Sequence, residues 1–167
     1  KHFIHDFLAE VKHRNIQTIS GLALGVDTEV HQVSIAQNIP TIAVLAHGFH
    51  TLYPSKNRKL ADKILEENGV LFSEFNSSQK PDRENFIQRN RIIAGLSPAT
   101  IVVETAFGGG SISTATFASN YNLVKDVSVA PIPDLNQLLM WFWFNLVIGN
   151  NDCHSKNLAF RTFGLRE

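Results

Sequence analysis

Three stretches of this chain carry residues whose types and spacing suit the capture of an anion. Ser20-Gly21-Leu22-Ala23-Leu24-Gly25-Val26-Asp27 places glycines directly after an apolar run. Glycines there let the backbone approach a ligand and present N–H groups to it, and Asp27 is placed to cap the next helix. A plain tight turn accounts for the same residues equally well. The second stretch, Gly108-Gly109-Gly110-Ser111-Ile112-Ser113-Thr114, runs three glycines into a helix start, a fitting seat for a phosphate. It matches neither the dinucleotide fingerprint nor the P-loop with its lysine, so neither NAD nor ATP is indicated and no cofactor is expected. The third, Phe86 to Ser97, sets Arg89, Asn90 and Arg91 on a helix whose buried side is Ile92, Ile93 and Leu96. Arg89 and Arg91 are two apart and cannot share a face. One is expected to reach the sheet edge while the other meets solvent or Glu84.

Charge is local rather than global. Fifteen basic and fifteen acidic residues cancel over the chain. Between 79 and 93, however, Lys80, Arg83, Arg89 and Arg91 outnumber Asp82 and Glu84. Between 54 and 63, Lys56, Arg58, Lys59 and Lys63 face only Asp62. Such runs usually form a solvated face. Beside a glycine-rich anion seat, with Tyr53 and Phe86 available for stacking, they suit a track for a single nucleic-acid strand.

Smaller constellations carry less. His47 and His50 lack a third metal ligand at useful spacing, so no metal is expected. Asp27 and His31, four apart, read as a helix-surface pair. Phe49, Phe72, Phe75, Phe107 and Phe117 read as core. Cys153 is the single cysteine, which fits a reducing compartment. The N-terminal KHFIHDFLAEVKH is too charged for a signal peptide, and the apolar run Leu138 to Ile148 is too short for a bilayer. A cytoplasmic protein away from membranes is the expectation.

The elements that must position these stretches alternate. Strands are expected at 16–20, 41–46, 70–73, 100–104 and 127–130, each apolar on both faces, as in the centre of a parallel sheet. Helices are expected at 27–37, 58–67, 84–96 and 111–122, with stops marked by Asn38-Ile39-Pro40, Asn68-Gly69 and Pro98. This pattern predicts an α/β, Rossmann-like three-layer sandwich with a mainly parallel sheet over about residues 1–130. Pro131-Ile132-Pro133 then breaks the chain. From Asp134, Leu135, Leu138, Leu139, Phe142 and Leu146 form the stripe of a C-terminal apolar helix. Residues 131–167 do not read as an independent domain.

Taken in order, SGLALGVD, HGFHTLYPSKNRKLA, SEF, FIQRNRIIAGLS and VVETAFGGGSISTATFASNYN resemble the DNA-processing protein A (DprA/Smf) family over about residues 1–122. The resemblance implies a Rossmann-like domain that is not an enzyme. It implies binding and protection of single-stranded DNA, assistance in loading RecA during natural transformation, and a possible homodimer. Carried across, phosphate and base contacts fall on Arg89, Asn90 and Arg91, and on Gly109, Gly110, Ser111 and Thr114. Ser20, Gly21, Lys56 and Asn57 lie nearby. The family's first strand and its glycine-serine-arginine turn would precede Lys1. Ile87, His50 and Gly109 stand where proline, aspartate and serine are usual. A second reading is an enzyme acting on a small phosphorylated nucleotide, with Glu104 as its acid or base.

From Asp134 the texture changes. DLNQLLMWFWFNLVIGNNDCHSKNLAF resembles the catalytic loop of HipA-like serine/threonine kinases, over about residues 134–160. Asp152 would sit at the attacked hydroxyl and Asn157 would hold magnesium. A nucleotide-binding lobe, a phosphate lysine and a downstream magnesium aspartate do not accompany it, so no kinase reaction is expected. A fused, recombined or truncated reading frame, or a chimera, would each produce such an ending.

Overall fold

A computed structural model describes residues 2–103 and 110–127 of the 167, with side chains through Tyr121. Helix α1, His2–Val11, is followed by strand β1, Thr18–Ser20, helix α2, Val26–Ala36, and strand β2, Thr41–Val44. A 3-10 turn at Ser55–Asn57 leads into α3, Arg58–Glu66. Then come β3, Val70–Phe72, α4, Arg83–Gly95, and α5, Gly110–Val127. The chain divides into two units, Lys1–Leu123 and Val124–Glu167. Most of the second lies outside the described residues.

Among the described residues three strands form one parallel sheet in the order β1-β2-β3. Thr18 lies opposite Thr41, and Ile42 opposite Val70. Parallel neighbours need a crossover, and α2 and α3 supply the two. Both pack on the sheet and against each other, so they share one face. Leu22, Ala43, Leu45, Leu60, Ala61 and Ile64 fill the space between the sheet and α3. Ile4, Leu8, Val33 and Ile39 bury α1 against α2.

The helix stops follow local chemistry. Asn38 and Asn68 both adopt positive φ, 58° and 60°, where asparagine tolerates the left-handed turn that ends a helix. Gly69 follows because a Cβ there would come within 2.6 Å of both the Ile64 side chain and the Thr41 carbonyl. At α4 the Asp82 carboxylate accepts the Glu84 N–H at 2.9 Å, an N-cap.

Several expectations are corrected. Helix α1 was not anticipated, although Ile4, Leu8 and Val11 recur at helical spacing. Helix α5 runs to Val127, past Asn122, because no glycine or proline interrupts the sequence before Pro131. The strand expected at 127–130 therefore begins inside a helix, and its other residues lie outside the described ones. Residues 100–103 form no strand, and Ile101, Val102 and Val103 are exposed. A β-branched run becomes a strand only beside a partner, and among the described residues this one pairs with neither β1 nor β3. Asp27 is not the cap of α2; that position is Gly25, at φ 96°. Phe49 is 55% exposed rather than core. Phe107 and the apolar helix expected from Asp134 lie outside the described residues.

His31 is also misread as a surface residue. It is fully buried under the sheet, where its Nδ1 meets Thr41 Oγ1 at 2.7 Å. Thr18 Oγ1 donates to the same hydroxyl and also meets Ser34 Oγ. The Nε2 atom has no partner. Burial lowers the His31 pKa from 6.5 to about 4, against the attraction of Asp27 and with the repulsion of Arg89. The unfolded chain therefore binds the proton more readily than the fold does between those values. Stability contributed by neutral His31 is intact above pH 6.5 and is lost as pH falls toward 4. We expect urea unfolding to show a loss of roughly 3 kcal/mol over that window that His31→Asn does not share. Identical pH slopes for the two proteins would refute it.

Candidate functional site

The β1–α2 turn, expected to offer its amides to a ligand, is closed on itself. Asp27 Oδ1 accepts the Ser20 hydroxyl at 2.6 Å, and Oδ2 accepts the Ala23 N–H at 3.1 Å. The carboxylate thus takes up the Ala23 amide that the turn would otherwise present. Thr28 Oγ1 donates to the Ala23 carbonyl. Asn57 reaches across from the 3-10 turn to donate to the Leu22 carbonyl and to Thr28 Oγ1, both at 2.8 Å. Asn57 is buried and internally engaged, so it is a brace rather than a surface contact. Its neighbour Lys56 is exposed.

His47 shapes the loop that leads to Lys56. A backbone N–H can only donate, so the Tyr53 N–H at 3.1 Å makes Nε2 the acceptor. Nδ1 then carries the proton and donates to the Gly48 carbonyl at 2.8 Å. Both ring nitrogens are committed, and among the described residues no group of three potential ligands could hold a metal. The loop leaves Tyr53 52% exposed, its ring edge-on to Phe86 with centroids 5.9 Å apart.

Helix α4 separates its two arginines as their spacing requires, and both have internal partners. Arg89 is 4% exposed. Its Nη1 donates to the Gly21 carbonyl at 2.7 Å and to the Val44 carbonyl, and its Nε donates to Asn90 Oδ1 at 3.1 Å. The guanidinium carbon lies 5.7 Å from the centre of the Phe86 ring. Burial lowers the Arg89 pKa, and the nearby Asp27 opposes that shift. Gly21 is glycine for this reason: a Cβ there would sit 2.2 Å from Arg89 Nη1. Arg91 pairs with Glu74, not Glu84, in a bond to Oε2. Burial holds the Glu74 carboxyl above the usual carboxylate range even with Arg91 beside it. Burial likewise raises the Tyr121 phenol on α5, which Arg91 and Glu74 shift in opposite senses.

Asn90 makes the link that the spacing alone did not show. Its amide donates to the Gly110 carbonyl at 3.2 Å and to Ser113 Oγ at 2.9 Å. The arginine helix and the first turn of α5 therefore meet, and Gly110, Ser111 and Thr114 lie at that junction. Gly109, Glu104, Asp152 and Asn157 lie outside the described residues. Ser113 and Glu74 were not anticipated as participants. Glu74 had a signal, standing in SEF directly after β3; Ser113 had none beyond its place in the glycine-opened helix.

The family model described as DNA recombination-mediator protein A matches residues 1–137, beyond Asn122 and into the segment from Asp134. Protein Smf of Synechocystis is 42% identical over 120 residues, covering 71% of this chain and 29% of that protein. Protein Smf of Escherichia coli is 41% identical over 112 residues, 67% of this chain and 30% of its own length. The chain thus spans about 30% of the length of these relatives. Among solved structures, DprA from Streptococcus pneumoniae superposes with a TM-score of 0.61 at 32% identity, over 72% of this chain and 43% of that one. DprA from Helicobacter pylori, whose structure concerns its single-stranded DNA binding mode, gives 0.62 over 83% and 73%. At 23% identity that second likeness speaks for the fold alone. With the family model covering most of its length, this chain belongs to the DNA recombination-mediator protein A (DprA/Smf) family.

Proposed function

We propose that this chain binds single-stranded DNA as a non-catalytic module that protects it and presents it for recombination. The observation that carries the reading is the junction made by Asn90. It joins the arginine helix to a glycine-opened helix start, with the exposed Tyr53 ring reaching the same helix through Phe86. A strand has a base platform at Tyr53 and the exposed cation of Lys56 three residues on. Its phosphate seat is the start of α5, at Gly110, Ser111 and Thr114, where helix amides favour negative charge. Arg58, Lys59 and Lys63 continue the exposed positive run along α3. Ser20, Gly21, Asn57, Arg89 and Arg91 belong to the site as its internal support rather than its surface.

Family membership supports the wider roles as proposals: assistance in loading RecA during natural transformation, a homodimer, and action in the cytoplasm where the DNA is. The nucleotide-enzyme alternative is weaker, because Asp27 is engaged within its own turn and Glu74, the described carboxylate near α5, is buried and paired with Arg91. For the C-terminal stretch that resembles a HipA-like catalytic loop we propose no phosphotransfer.

Binding of a fluorescent dT oligomer tests this reading. We expect Kd to rise with salt, Tyr53→Leu to weaken binding by about tenfold through lost stacking, and Lys56→Glu to weaken it while flattening the salt dependence. AMP should not compete. Unchanged binding in both variants, or tighter binding of AMP than of the oligomer, would sink the proposal.

A further inference from the structure

Arg89 has the burial of a core residue and the chemistry of a nucleic-acid contact. Its guanidinium is enclosed by the Gly21 and Val44 carbonyls, the Asn90 amide oxygen and the Phe86 ring. The roof over it is so close that a Cβ on Gly21 would meet Nη1 at 2.2 Å and force the guanidinium to shift. At 4% exposure the group is closed to a phosphate in this arrangement. Two arms nevertheless leave it toward the surface. One runs through Phe86 to the exposed Tyr53 ring. The other runs through Asn90 to Gly110 and Ser113 at the start of α5.

We propose that Arg89 is the positioning residue of the site: it holds the Tyr53 platform and the start of α5 in register, and never touches nucleic acid. This rests on the DNA-binding reading above and deepens it. A planar guanidinium can donate to two strand-end carbonyls and to Asn90 at once, while its face lies toward a ring. Lysine has the charge without the fork. The cation also offsets the carbonyl dipoles where β1 and β2 end, at the carboxyl edge that a polyanion must approach.

Two variants separate positioning from contact. Arg89→Lys keeps the charge and loses the fork; Gly21→Ala keeps the arginine and pushes its guanidinium aside. Both should lower dT-oligomer affinity about tenfold while leaving the slope of log affinity against log salt at the parental value, since no phosphate contact is lost. A contact role predicts the reverse: near-parental affinity for Arg89→Lys, and a slope smaller by about 0.7 for Arg89→Gln. That result would overturn the inference. If Lys56→Glu weakens binding while Arg89→Lys and Gly21→Ala do not, positioning alone fails. If Lys56→Glu and Tyr53→Leu are also silent, the binding site itself is misassigned. Thermal melts establish that each protein is folded at the assay temperature. Should the two variants not fold, Phe86→Leu decides. Its loss and that of Tyr53→Leu must fall short of adding in the double variant, and full additivity would refute the relay.

Discussion

A guanidinium taken out of water is expensive unless its donors and its charge are compensated, and in this fold the compensation of Arg89 organises much of what surrounds it. Two strands end at its Nη1, a third contact comes from its own helix, and an aromatic ring lies near its face. The consequences spread outward. Gly21 must lack a side chain, and the β1–α2 turn must find its other partners in Asp27, Thr28 and Asn57. Asp27 in turn serves twice, binding the turn and opposing the depression of the Arg89 pKa. Removing one partner from such a network leaves buried charge behind, so its members stand or fall together.

The same economy shows on the other side of α4. Arg91 and Glu74 form a pair with side chains only 20% and 3% exposed, and Tyr121 brings α5 into their field. Both arginines of the RNR triplet are thus used to fasten elements together, with Asn90 between them turned to α5. Helix α4 is the part that ties the sheet edge to the helix start. Tyr53 and Lys56 stay exposed on the loop and 3-10 turn nearby.

Cancellation of fifteen against fifteen charges says nothing about where they sit. Lys56, Arg58, Lys59 and Lys63 are exposed along the 3-10 turn and α3, whereas Arg89 and Arg91 of α4 are engaged internally. The exposed set supplies attraction that salt can screen. The internal set supplies geometry that salt does not reach.

Much of this was legible from residue order. Runs apolar on both faces announced parallel strands, Asn38 and Asn68 announced helix ends, and the succession of motifs announced the family, since each depends on neighbours close in the chain. Helix α1 was legible too, at Ile4, Leu8 and Val11. What residue order withheld were partnerships between distant segments. Arg89 finds Gly21 across 68 positions, Arg91 finds Glu74 rather than Glu84, and His31 turns inward to Thr41. A charged or polar side chain reads as exposed until packing supplies a buried partner, and only the tertiary structure decides which one. The residue types were written locally; which side chains are buried in mutual contact and which stay exposed was decided by the meeting of β1, β2, α4 and α5.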